Sequence, residues 1–122
     1  MRLFADRPAR AYRTGVRSDV VMLDVGHVRL EPDEQVTFTT DSGGEYDVAR
    51  KEWGFYATPS LNGRLAQFGL RPVVVRNTVG RYFVLLVERG CEQRFEEYVQ
   101  SERLEVMVWL DSDEALSQAF GE

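Results

Sequence analysis

Apolar and polar positions alternate, or gather in short runs, along most of this chain, and no run exceeds the length of a strand. Val20-Val21-Met22-Leu23-Asp24-Val25 is mostly apolar and reads as a buried strand. His27 to Leu30 alternates, Glu31-Pro32-Asp33-Glu34 is turn chemistry, and Gln35 to Thr40 alternates again with β-branched residues. Asp41-Ser42-Gly43-Gly44 predicts a tight hairpin, because glycine reaches the positive φ such turns demand. Glu45 to Ala49 returns as the partner strand. Trp53 to Ala57 makes a further short strand ending at Pro59. Period-2 geometry places Trp53, Phe55 and Ala57 on one face, expected to be core, with Gly54 and Tyr56 on the other.

Beyond that strand two readings stay open. Ser60 caps a short helix over Leu61–Phe68 with Gly69 as its stop, or Asn62-Gly63 makes a turn. Pro72 to Arg76, the turn Asn77-Thr78-Val79-Gly80, and Arg81 to Glu88 predict a second hairpin. Glu92–Glu102 reads as a helix with Phe95, Tyr98 and Val99 as its apolar stripe. Leu104, Val106, Val108 and Leu110 alternate as a strand. Asp111 and Glu114 match a capping box, opening a last helix with Ala115, Leu116, Ala119 and Phe120 turned inward. The expected fold class is α+β, mainly antiparallel β: a small β-sandwich or rolled, barrel-like sheet with short C-terminal helices. Residues 1–18, with Pro8 and Gly15, read as a basic N-terminal arm, and 19–122 as a single α+β domain.

Composition narrows the class. The chain has 122 residues, 43% hydrophobic and 29% charged, which suits one globular core. No apolar run nears the roughly 20 residues of a membrane helix, and no apolar segment follows the basic N-terminus as in a secretory signal. A single cysteine, Cys91, precludes an internal disulfide and suits a reducing cytoplasm. Charge is uneven: residues 1–17 carry five arginines and one aspartate, against ten bases and nineteen acids in the remainder. A basic arm can touch phosphates, but the acidic body repels a nucleic-acid backbone, so nucleic acid is disfavoured as a partner. Fourteen of the fifteen bases are arginine, a genome-composition bias that fits a bacterial source and carries no functional meaning by itself.

Gly26-His27-Val28-Arg29-Leu30-Glu31-Pro32-Asp33-Glu34-Gln35-Val36 resembles the strand–turn–strand opening of cupin domains, where an alternating strand meets a Pro-Gly-Glu turn. Asp33 stands where that glycine would be. The metal-binding cupin motif needs two histidines one residue apart and a glutamate, whereas residues 37–40 are Thr-Phe-Thr-Thr. With one histidine and one cysteine, no metal and no cofactor is expected.

Other chemistry is sparse. His27 could act as a general base, or stand solvated at a strand edge. Cys91, near a helix start, is read as packing. No Gly-x-Ser-x-Gly, Gly-x-Gly-x-x-Gly or Walker loop is present. Glu92, Glu96, Glu97 and Glu102 read as the solvated face of their helix. The densest candidate stretch is Trp53–Leu65, which joins aromatics and glycines to Tyr56, Thr58, Ser60, Asn62 and Arg64. Tyr56, Asn62, Arg64 and His27 are the candidate ligand-binding residues. The structural reading of the same stretch pairs Arg64 with Asp47 or Glu52 and turns Ser60 and Asn62 onto backbone. The expected function is a non-catalytic domain that binds a small molecule or a protein partner. The alternatives are a small enzyme acting on a sugar-like substrate on a metal-free cupin-like sandwich, and a structural or regulatory subunit. Strands 84–87 and 104–110 hold more apolar surface than one modest core covers, so a homodimer is expected.

Overall fold

A computed structural model describes residues 1–57 and 59–121. The fold is α+β and mainly antiparallel β, as the patterning predicts, with its strands in three separate sheets beside three short helices. Strands β1 (Arg2–Thr14) and β2 (Val20–Arg29) form a two-stranded ribbon. Strands β3 (Gln35–Thr39), β4 (Glu45–Lys51) and β5 (Gly54–Tyr56) form a second sheet in that order. Strands β6 (Leu70–Arg76), β7 (Tyr82–Glu88) and β8 (Glu105–Trp109) form the third, ordered β7-β6-β8. Helices α1 (Arg64–Gln67), α2 (Glu92–Ser101) and α3 (Asp113–Phe120) complete the chain.

The core sits on the third sheet. Val73, Val75 and Val87 are buried, with Leu85, Phe95, Leu104, Val106 and Trp109 packed against them. Phe95 of α2 meets Trp109 edge-on, ring centroids 5.7 Å apart, an arrangement that suits the ring quadrupoles. Simple alternation would put Val106 and Val108 on one face. Instead the register against β6 slips, Val74 facing Val108 and Val75 facing Val106, so Met107 is an extra residue. This bulge returns Trp109 to the core side and leaves Met107 exposed. Leu65 of α1 is fully buried against the same sheet.

The stretch 60–69 reconciles the two sequence readings. Residues 61–63 turn, Ser60 Oγ accepts the Arg64 N–H at 2.7 Å, and one helical turn follows before Gly69 at φ 82°. At α3 the capping residue is Ser112, whose Oγ accepts the Ala115 N–H at 3.0 Å, rather than Asp111. Asp111 is engaged instead by Arg71, at 2.6 Å. Ala119 and Phe120, expected to face inward, are exposed, because α3 meets the body through its first turns, where Asp113 holds Asn62.

The segment read as a basic arm is extended, but it is the first strand of the ribbon. Asp6-Arg7-Pro8-Ala9 bulges opposite Val25, a position where proline's missing donor does no harm. Gly26 closes this bulge. A Cβ there would collide with the Phe4 carbonyl oxygen, and its φ is 154°. Val20–Val25 is a strand as expected, yet Val21, Met22, Leu23 and Val25 are exposed, because the two-stranded ribbon packs on the body mainly through its turn. The cupin-like segment also divides. Asp33 adopts the left-handed φ of 67° that the cupin glycine would supply, but β2 and β3 belong to different sheets.

Candidate functional site

Of the four residues singled out from sequence, Tyr56 and Arg64 come together. They line a cavity of about 360 Å³ with Gln35, Asp47, Ala49, Pro59 and Ser60, between the second sheet and the turn before α1. Arg64 lies at the start of its helix because Ser60 fixes the preceding turn. Its guanidinium donates to Asp47 at 3.1 Å and stands over the Phe68 ring at 5.0 Å from the centroid. The pairing with Asp47 is the structural reading of the sequence realised. The two charges the cavity could offer a ligand are therefore turned on each other.

The other two lie elsewhere. Asn62 donates to Asp113 Oδ1 at 2.5 Å, tying the turn to α3. His27 sits on the ribbon, stacked on Phe4 with centroids 4.6 Å apart. Thr58 lies outside the described residues. Trp53 corrects the sequence reading most directly: it is 73% exposed. Lys51 pairs with Gly54, so Glu52-Trp53 is the two-residue turn between β4 and β5, and Trp53 is not in a strand. Phe55 is exposed beside it. Among the described residues no three His, Cys, Asp or Glu side chains gather into a group that could hold a metal ion, and no helix is long and apolar enough to cross a membrane.

A second cavity, of about 420 Å³, lies between the ribbon turn and the third sheet. Phe83, Leu85, Tyr98 and Leu104 give it apolar walls, and Glu102 gives it a carboxylate. Glu96 and Glu97 of α2 are solvated as the sequence implied, but Glu102 is 8% exposed. It caps the helix end and turns under Gly15 and Val16 of the ribbon, where its Oε1 accepts the Val16 N–H at 2.8 Å. Nothing in the local sequence separates Glu102 from its neighbours, since its partner is 86 positions away.

The larger feature is the apolar surface. On the ribbon, Leu3, Val21, Leu23 (60%) and Val25 (66%) face solvent. On β7, an outer strand, Tyr82, Phe83 and Val84 do the same. The chain exposes 8989 Å² at 14.0 kDa, whereas the surface scaling of folded monomers gives about 6,700 Å². Roughly 2,300 Å² is thus in excess of a closed monomer of this mass. Comparison of the chain with protein-family models, with curated proteins and with solved structures finds no match.

Proposed function

We propose that this protein is a non-catalytic domain that binds a protein partner through the apolar ribbon β1–β2 and the outer strand β7. The observation that carries the reading is the set of large apolar side chains these strands expose, Val21, Leu23 and Val25 on the ribbon and Tyr82, Phe83 and Val84 on β7, on a chain whose accessible surface exceeds that of a closed monomer. Exposure of several large apolar side chains on one strand marks an interaction surface rather than a small-molecule pocket. The cavity at Tyr56 and Arg64 supports a small ligand less well, since Arg64 and Asp47 already neutralise each other and His27 stands apart. The single cysteine suits a reducing cytoplasm.

Leu23→Ser combined with Val25→Ser tests this. Both positions are exposed, so melting should shift little. In the wild-type protein the surface is either covered by association or binds a hydrophobic dye, and the pair should diminish whichever is found. A small metabolite that raises the melting temperature saturably, with the effect lost in Arg64→Ala, would move the function to the cavity.

A further inference from the structure

Resting on that reading, we infer that the partner is a second copy of this chain, with the basic ribbon of each copy lying across β7 and α2 of the other. The ribbon and the body carry opposite charge. Residues 1–29 hold six arginines and three aspartates, net +3, whereas 30–122 hold nine bases and seventeen acids, net −8. Arg2, Arg7 and Arg17 have no ion-pair partner among the described residues. On the receiving side, α2 packs beside β7 and presents Glu96 and Glu97 to solvent, whereas Glu92 is held by Arg71 and Glu102 by the ribbon turn of its own chain. One surface is therefore apolar and basic, and the other apolar and acidic.

This complementarity selects the arrangement. Two ribbons mated face to face would set +3 against +3, whereas ribbon on body sets +3 against −8. A twofold axis then makes the same contact twice, and β7 gains cover for its unpaired edge. The ribbon turn is already seated on Glu102 of its own chain, which leaves its flanks to reach a neighbour.

Sedimentation of the full chain tests the inference at low and high salt. A two-chain mass is expected at micromolar concentration, with dissociation roughly tenfold or more easier at high salt. Arg2→Glu with Arg7→Glu should yield a folded monomer, and so should Glu96→Arg with Glu97→Arg. Mixed together, the two variants should recover a two-chain mass, because each acidic ribbon then meets a basic helix and each basic ribbon an acidic one. Should either variant misfold, hydrogen exchange of the wild type at two concentrations replaces it. Protection of the ribbon and of residues 82–84 must then rise with concentration. A dimer indifferent to both reversals, or protection that does not rise, overturns the inference. A wild-type monomer that binds hydrophobic dye also overturns it but leaves a different protein as partner. A monomer that binds none overturns the interaction reading with it.

Discussion

The Glu102 carboxylate accepts the backbone N–H of Val16 at 2.8 Å, joining the end of α2 to the turn of the β1–β2 ribbon. Gly15 makes the approach possible. Its φ is 95°, and a Cβ there would stand 3.1 Å from Glu102 Oε1. At the other end, the ribbon is held where Leu30 is buried and Arg50 donates to the Leu30 carbonyl at 3.2 Å. The ribbon is a strap fastened at both ends and open between them.

Glu102→Ala should release the turn. Losing a charged acceptor while leaving a backbone donor without its partner costs about 1–3 kcal/mol, and Glu102→Gln, which keeps an acceptor oxygen, should cost less. Amide exchange at Val16 is the specific readout. Unchanged protection there in Glu102→Ala would mean that the bond holds nothing.

Trp53→Ala should be tolerated. An exposed turn residue away from packing shifts stability by no more than about 0.5 kcal/mol, whereas truncating fully buried Leu65 to alanine costs about 2–5 kcal/mol. Urea midpoints of the two variants make the comparison. A large loss from Trp53→Ala would return that side chain to a packed environment.

Arg103→Gly should stabilise the protein. Helix α2 ends in a Schellman motif: the Leu104 N–H bonds to the Val99 carbonyl at 2.9 Å, and the Arg103 N–H to the Gln100 carbonyl at 3.3 Å. The left-handed position at its centre holds arginine at φ 56°, where a side chain is disfavoured by roughly 1–2 kcal/mol. Glycine relieves that strain but loses more chain entropy, for a net gain of about 0.5–1 kcal/mol. A melting midpoint that falls on substitution would show that the Arg103 side chain contributes more than its strain costs.

Acid should weaken the fold, and alkali should not through these groups. Hydrogen bonds from Arg10 to Asp24, from the N-terminal ammonium to Glu34, from Ser42 to Glu88, and from the backbone N–H groups of Glu92 and Gly90 to Glu92 hold these carboxyls below their ordinary values. A depressed carboxyl contributes its full stabilisation above the unfolded pKa, about 4, and loses it as pH falls through the lower folded value. Melting midpoints should therefore be level through neutral pH and decline below about pH 4. In Arg10→Ala that decline should shrink. An equal decline would remove the Arg10–Asp24 pair from the account.

Local signals were legible where structure is decided locally. The Asp41–Gly44 hairpin, the 77–80 turn and two members of the α2 stripe, Phe95 and Val99, follow from residues near in sequence or from strand alternation, whereas Tyr98 of that stripe is exposed; Arg64 takes Asp47, one of the two carboxylates the sequence offered. What escaped depends on distant partners. Val21 to Val25 has the composition of a buried strand, but burial is settled by what packs on it, and the ribbon's faces stay open. Trp53 lies in the turn before β5, and the face it was expected to share with Phe55 is open as a whole; Met107 altered the facing of β8 through a bulge. The left-handed conformation at Arg103 gives no sign in sequence, because arginine is not a residue that marks a helix stop. Of the candidate residues, Tyr56 and Arg64 line one cavity, whereas Asn62 and His27 have structural neighbours of their own.

The strap also bears on how long each molecule lasts in a cell. A ribbon with few contacts to the core opens at a free energy well below that of global unfolding, and an opened extended segment is what proteases cleave. Any partner that binds the closed ribbon raises the opening energy in proportion to the logarithm of its concentration. Chains left uncovered would then be cleared at the ribbon while covered ones persist, so the lifetime of each molecule would rise with the concentration of whatever covers it.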